Sequence, residues 1–414
     1  MPDAITGFAR VPRSLAGLAA LCLAAAPLAA APLAAAPLAA QDTDDDRVSS
    51  ASGARLTIGG FLQADGRVVV GDDRASGPLL RRARLIFDAT GERGFRLRLQ
   101  PDFGQGRVLI QDAFIGWRGD GRDLRVGRFR PTFGGERTRG SATLLFPERG
   151  LVNTLMPARS TGAQATFGSA RGGVVVGAFR TPLGDDARTV DTDGDLAIAP
   201  PPTTEGLLRL QGTIGRTATP SGLAWHVAVL GGSAQGRRTD GTGPARLLTV
   251  GQRPIFAYAT DGPDPAVASG RRWRAAAGVE HVSRRDAWHV EAIGAEDGVR
   301  NAAFGQASLL HGGFGAAWSR VWRGTRAGDY TIVPADARGA IEAGLRGGGV
   351  WVDRDALGRF AAPGSSGRAI GLGAALSWLP AVTTRLALSY DVTIEDRGAN
   401  RIEHAIILRV QQGF

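Results

Sequence analysis

The sequence predicts an all-β chain folded as a transmembrane antiparallel β-barrel of about 16 strands. Three observations carry this. Two-faced segments about ten residues long recur between Gly and Asp turns, the amino-terminus has the layout of an export signal, and the chain stops on a strand ending in Phe414. In that strand Ile402, Ile406, Leu408, Val410 and Phe414 share one face, and Arg401, Glu403, Arg409 and Gln411 the other. Successive side chains of a strand point to opposite sides, so the ribbon has one apolar and one charged surface. A water-soluble sandwich hides its apolar face and rarely ends an outer strand on an unprotected phenylalanine. A membrane barrel turns the apolar face to lipid and the polar face to a wet lumen.

The amino-terminus supports export. Arg10 and Arg13 form a positive n-region, Ser14 to Ala26 is a Leu- and Ala-rich apolar run, and an Ala-Pro-Leu-Ala-Ala repeat continues to Ala40. Residues 1–40 therefore read as a signal peptide cut between Ala40 and Gln41, followed by a short acidic, Ser-rich flexible lead over 41–54 and a barrel domain over 55–414. Cys22 is the single cysteine and lies inside the signal, so disulfides, thiolate metal sites and a cysteine nucleophile are all excluded from the exported chain. No other stretch reaches about 18 uninterrupted apolar residues, which argues against a membrane-spanning helix.

The strands are legible one by one. Phe95, Leu97, Leu99 and Phe103 oppose Arg96, Arg98, Gln100 and Asp102; the neighbouring segment sets Ala83, Leu85, Phe87 and Ala89 against Arg82, Arg84 and Asp88. Further apolar faces are Trp225, Val227 and Val229; Trp288 and Val290; Ile341, Leu345 and Trp351; Ile370, Leu372, Leu376 and Trp378; and Leu386, Leu388, Tyr390, Val392 and Ile394. About 17 segments qualify, whereas single-chain bacterial barrels carry an even number, so two short segments run together within 302–323 and sixteen is the natural value. Sixty glycines suit many strands and turns. The run Gly347-Gly348-Gly349 marks a strand that bends or packs closely.

Long connections are expected at 131–160, 182–205, 234–270 and 324–337, all facing outward in a barrel, with short turns at the periplasmic end. Asp191, Asp193 and Asp195 alternate as calcium ligands do, but Gly194 is misplaced for a calcium-binding loop and no glutamate closes it, so no metal site is assigned. No cofactor is expected.

The net charge is +10, and loss of Arg10, Arg13 and Asp3 with the signal leaves +9. Lysine is absent, so every basic side chain is a guanidinium, and the chain favours anionic partners. Export and strand alternation argue against nucleic acid. An enzyme is also disfavoured. Of His226, His281, His289, His311 and His404, only His289 shares a face with a nearby acid, Glu291, and no serine there has the surroundings of an activated nucleophile.

One region carries a specific resemblance. Arg125-Val126-Gly127-Arg128-Phe129-Arg130-Pro131-Thr132-Phe133-Gly134, then Phe146-Pro147-Glu148-Arg149-Gly150-Leu151-Val152-Asn153 and Pro157-Ala158-Arg159-Ser160-Thr161-Gly162, resemble the core of the phosphate-selective porin O/P family. Arg81-Arg82-Ala83-Arg84-Leu85 and Asp112-Ala113-Phe114-Ile115 resemble upstream strands of the same family. The resemblance implies a 16-stranded homotrimeric barrel in the bacterial outer membrane, in contact with its lipid, with a third loop folded inward to narrow a water-filled pore. It further implies diffusion of phosphate, polyphosphate or other small anions; the alternative is a non-specific pore for small polar solutes. This chain departs from the family's pattern in having no lysine, so arginine replaces it or the selectivity differs.

The residues themselves point the same way. Arg82, Arg84, Arg96, Arg98 and Arg107 lie opposite the apolar stripe and should line the lumen. A ladder of guanidinium groups lowers the energy of a passing anion at each step, and Asp88, Asp102 and Asp112 temper each site so that the ion is released. The planar fork also suits phosphate, to which it donates two parallel hydrogen bonds. The bland alternative is that these arginines pair with those acids and only keep the tube polar. Arg130 flanks the constriction loop, while Arg128 shares the face of Leu124 and Val126 and belongs at the membrane rim. Arg137, Arg139, Arg149 and Arg159 either face the pore or staple the loop to the wall.

Overall fold

The computed structural model describes residues 48–49, 54–70, 76–106, 108–169, 171–181, 203–214, 222–235, 246–327, 330–397 and 401–414. The expected signal over 1–40, most of the acidic lead, the aspartates of 185–195 and Arg107 lie outside them.

The wall is a closed ribbon. Its strands are β1 (Arg55–Val70), β2 (Gly77–Thr90), β3 (Phe95–Asp102), β4 (Leu109–Gly119), β5 (Arg122–Phe129), β6 (Ser160–Ser169), β7 (Gly172–Thr181) and β8 (Thr203–Ile214). They continue as β9 (Leu223–Gln235), β10 (Val267–Val282), β11 (Asp286–Asn301), β12 (Gly305–Trp322), β13 (Ala340–Val352), β14 (Arg368–Ala381), β15 (Thr384–Glu395) and β16 (Ile402–Gly413). The sheet has 17 members, but Val48–Ser49 is a two-residue appendage on β1, which leaves sixteen wall strands. Each pairs antiparallel with its chain neighbour, and β16 returns to β1 with Phe61 opposite Gly413 and Val70 opposite His404. Closure removes every sheet edge, the condition for a sheet to cross lipid. The segments that ran together within 302–323 are one strand, β12, of 18 residues.

Burial is inverted relative to a water-soluble protein, as the alternation required. Leu97, Leu99, Val126, Leu208, Val227, Leu345, Leu372 and Leu376 are exposed on the outer surface, whereas Gln63, Asp65, Arg82, Glu205, Arg209, Glu291, Asp391 and Arg409 are buried inside. On β16 the inward residues are Glu403, Ala405, Ile407, Arg409 and Gln411, matching the polar face read from the sequence.

Because strands alternate in direction, connections alternate between the two ends. The short links 91–94, 120–121, 170–171, 283–285 and 382–383 share one end, and 130–159, 236–266 and 353–367 share the other. Short turns mark the periplasmic end. The long 323–339 connection joins β12 to β13 at that same periplasmic end, which corrects the expectation that every long connection faces outward. It holds a small hairpin, Gly324–Ala327 with Thr331–Pro334, that turns into the barrel instead of extending away from it. Arg326 anchors it there: its side chain is fully buried and meets Glu342 at 2.7 Å and Ser319 Oγ at 2.7 Å.

The connection 130–159 crosses the lumen. Its apolar side chains Phe133, Leu151, Val152, Leu155 and Met156 form one buried cluster with inward residues of the wall, including Phe114, Phe129, Phe179 and Leu207. Phe129 sits edge-on to Phe114 at 5.7 Å and to Phe179 at 5.6 Å. Gly127 and Gly162, both in the recognised motifs, lie opposite each other beside these rings. A Cβ on Gly127 would come within 2.3 Å of Ala113 O, and one on Gly162 within 2.1 Å of Ala178 O, so neither position tolerates a side chain.

A guanidinium-clamped constriction loop

The crossing loop is held chiefly through its backbone. A loop inside a barrel cannot satisfy its carbonyls with a neighbouring strand, so wall side chains must supply donors. Arg209 Nη1 donates to Phe133 O at 2.8 Å, Arg274 Nε to Leu155 O at 2.9 Å, Arg385 Nη1 to Leu144 O at 2.9 Å and Arg346 Nη1 to Glu148 O at 2.5 Å. Arg409 reaches Pro147 O, and the amides of Gln63 and Gln411 donate to Ser141 O at 3.2 Å and Ala142 O at 3.0 Å. From the far wall Glu291 Oε1 accepts from Gly135 N at 2.6 Å. Hydrogen bonds to charged groups contribute roughly 1.5–3 kcal/mol each, so these clamps fix the loop firmly.

The recognised motif supplies the lock. Glu148 is buried and accepts from Arg67, from Arg81 at 2.7 Å and from Arg409 at 3.5 Å. Burial alone would raise its carboxyl, but Arg81, Arg67 and Arg82 outweigh that and hold it well below the usual range. Leu151, Val152 and Leu155 lie in a short 3-10 turn (Leu151–Leu155) facing wall glycines. A Cβ on Gly371 would stand 3.0 Å from Leu151 Cδ1, and one on Gly315 would stand 3.1 Å from Val152 Cγ1. Asn153 Nδ2 donates to Glu136, which fixes the loop to its own helical turn α1 (Gly135–Thr138).

The expected site residues fall into two groups. Arg96 and Arg98 face the lumen but are paired: Arg96 with Asp123, and Arg98 with both oxygens of Asp88 at 2.7 and 2.6 Å. Asp123 also holds Arg118 at 2.8 Å and Arg125 at 2.9 Å. Arg82 and Arg84 instead reach the crossing loop region. Arg82 Nη1 donates to Gln63 Oε1 at 2.7 Å, while Arg84 joins Asp102 at 2.6 Å and Ser141 Oγ at 3.0 Å.

Arg84 lies beside a second group formed by Arg130, Arg137, Arg149 and Arg159. Arg159 pairs with Asp112 at 2.8 Å. Arg130 donates to Arg137 O, and Arg149 donates to Arg139 O at 2.8 Å and Glu136 O at 3.5 Å, so these two are held by carbonyls. Burial lowers Arg137 to about 9, helped by repulsion from Arg149 and Arg159, and lowers Arg149 to about 10. Arg130 is pushed well below its ordinary value by burial and then by Arg159, Arg149 and Arg137. Mutual repulsion of this kind is a site of high positive potential, which an anion would relieve.

Arg139 is a staple on the opposite flank, meeting Glu280 at 2.5 Å and lying 4.1 Å over the ring of Tyr330 from the periplasmic hairpin. Tyr330 donates to Glu280 at 3.0 Å. On the outer side residues 246–266 also enter: Thr249 Oγ1 donates to Glu403 at 2.8 Å, and Tyr258 meets His311 at 2.6 Å.

Sequence reading missed most of the clamps. Arg209, Arg274, Arg346, Arg385 and Arg409 sit on polar strand faces, but alternation does not say that they grip backbone, or that Arg67 on a like face grips the Glu148 carboxylate. Arg81 was hidden for another reason. A bulge opposes Gln63 to Arg82 and Ala64 to Leu80, leaving Arg81 as the extra residue that turns inward beside Arg82.

A closed sixteen-stranded barrel, apolar outside, polar inside and narrowed by an inserted loop, defines an outer-membrane porin, a channel for small solutes. Residues 56–213 match the model of the phosphate-selective porin O and P family, so the recognition made from the motifs of residues 81–162 is borne out over a longer stretch. No curated relative matches the sequence. Among solved structures, the outer membrane channel DcaP of Acinetobacter baumannii aligns with TM-score 0.58 and 12% identity over 89% of this chain and 99% of that one. An anion-selective porin from Comamonas acidovorans aligns with TM-score 0.56 and 10% identity over 87% and 100%. In-vitro folded OmpT of Vibrio cholerae aligns with TM-score 0.55 and 12% identity over 89% and 100%. At these identities the likeness is one of fold.

Proposed function

We propose that this porin favours small anions of the phosphate class, and that Arg130, Arg137 and Arg149 form its selectivity site, with Arg82 beside them and with Arg84 and Arg159, each paired with an aspartate, adding only to the surrounding positive field. The observation that carries the reading is the repulsion among the loop guanidinium groups, whose neighbouring acid Asp112 is already engaged by Arg159. A partly desolvated cluster of forks attracts a polyoxygen anion more strongly than a monatomic one. Arg96 and Arg98 favour the second reading, a general diffusion pore, because each is already paired with a carboxylate and offers an anion little. The reversal potential in a salt gradient decides between them: chloride preferred over potassium supports the first, no preference the second.

The exported chain begins after Ala40 in this reading, and the barrel assembles as a homotrimer. Support comes from the OmpT structure described as a trimer form, which aligns with TM-score 0.52. The trimer is tested by a heat-modifiable band of threefold mass before boiling.

A further inference from the structure

The outer surface of the barrel carries a polar row that the channel does not use. Arg128 on β5 lies opposite Thr161 on β6, Thr161 opposite Arg180 on β7, and Arg180 opposite Thr204 on β8. Thr204 is opposite Ser233 on β9, which is opposite Arg271 on β10. All six face away from the lumen, and Thr161, Arg180, Thr204, Ser233 and Arg271 are exposed. The row sits at the ends of the strands that carry the long connections, hence at the outer leaflet. Below it the outward residues are apolar, first Val126, Ala163, Ala178, Gly206 and Gly231, then the exposed Val176, Leu208 and Val229. Across β14, β15 and β16, by contrast, Ile370, Ile394 and Ile402 stand opposite one another near the same end.

We propose that this row binds the phosphate groups of the phosphorylated lipid in the outer leaflet, with Arg128 and Arg180 as the principal contacts. Neighbouring strands are about 4.8 Å apart, so these two guanidinium groups, two strands apart and on either side of the Thr161 hydroxyl, each take a separate phosphate of one multiply phosphorylated headgroup. Arg128 Nε donates to Ile110 O at 3.0 Å, which lays its side chain along the outer surface. Arg271 is the weaker end of the row, because it also holds Glu296 at 3.0 Å. Height relative to the apolar band identifies the partner: a phosphate at the lipid headgroup level meets these residues while its acyl chains lie against Val126 and Leu208. A soluble anion gains nothing from that second contact.

The test uses the full chain folded into neutral phosphatidylcholine vesicles and titrated with lipopolysaccharide, reading the thermal midpoint of barrel unfolding. The wild type should be stabilised saturably. Removing basic residues at a membrane surface weakens attraction by about fivefold each, so Arg128→Gln with Arg180→Gln should weaken the apparent affinity roughly 25-fold. Arg180→Gln alone, at a fully outward position, should show the single fivefold step. Dephosphorylated lipopolysaccharide should not stabilise the wild type. Anion over cation preference should be unchanged in the double variant, because both charges face away from the lumen, so this result is independent of the selectivity reading. The proposal is overturned by equal affinity of wild type and double variant, or by equal stabilisation from dephosphorylated lipid. A change in subunit association in neutral vesicles, with no change in lipid affinity, would overturn it too, by assigning the row to a contact between copies.

Discussion

Replacing Arg137 and Arg149 together by glutamine tests the selectivity site most directly. Glutamine retains an amide donor for the carbonyls that Arg149 now holds, at 2.8 and 3.5 Å, but removes two fixed charges. Two unit charges about 6 Å apart interact by roughly 3 kcal/mol at an effective dielectric near 20, and counter-ions reduce this to on the order of 1 kcal/mol per site. Losing both should cost a passing anion about 2 kcal/mol, a ceiling of roughly 30-fold in anion preference. The assay is the reversal potential of single channels in a planar bilayer under a steep potassium chloride gradient, repeated with added inorganic phosphate. The wild type should prefer chloride, and phosphate should reduce its chloride current. The double variant should lose most of both effects with little change in open-channel conductance. A reversal potential and phosphate block identical to wild type would refute the assignment and leave a general diffusion pore.

Three further outcomes are expected. Anion preference should fall as pH rises from about 8 to above 10, because the cationic forms of Arg137 and Arg149, lowered to about 9 and about 10, are lost across that window; a flat profile would mean that these charges do not face the ion path. Glu148→Gln strips the shared carboxylate from Arg67, Arg81 and Arg409, and breaking a buried charge network costs roughly 3–5 kcal/mol, so the crossing loop should loosen, with noisier, larger conductance and faster proteolysis within 130–159. Leu97→Arg should cost roughly 2–4 kcal/mol of barrel stability near the lipid midplane, measured by denaturant unfolding in vesicles, whereas Gln100→Arg, opposite Asp112 inside the lumen, should be tolerated; equal losses would mean the strand faces are misassigned.

The wall was legible along the chain. Alternation is a local property of extended backbone, so Leu97 and Arg98, or Val410 and Arg409, had to face opposite sides whatever the rest of the chain did. The sequence also marked the inserted loop, because Gly127, Glu148 and Gly162 are demanded by contacts so close or so charged that few residues satisfy them. What the lumen arginines do depends instead on contacts made far along the chain. Arg409 grips Pro147, and Arg385 grips Leu144, across separations of more than two hundred residues, and no local pattern records such a partner. The bulge that turns Arg81 inward breaks the very periodicity used to read the strand, and the hairpin held by Arg326 enters the barrel from the end where short turns were expected. Which guanidinium groups remain to meet an anion depends on which are consumed by carboxylates and carbonyls. That balance is set by closure of the barrel around its own loop, not by the order of residues along any one strand.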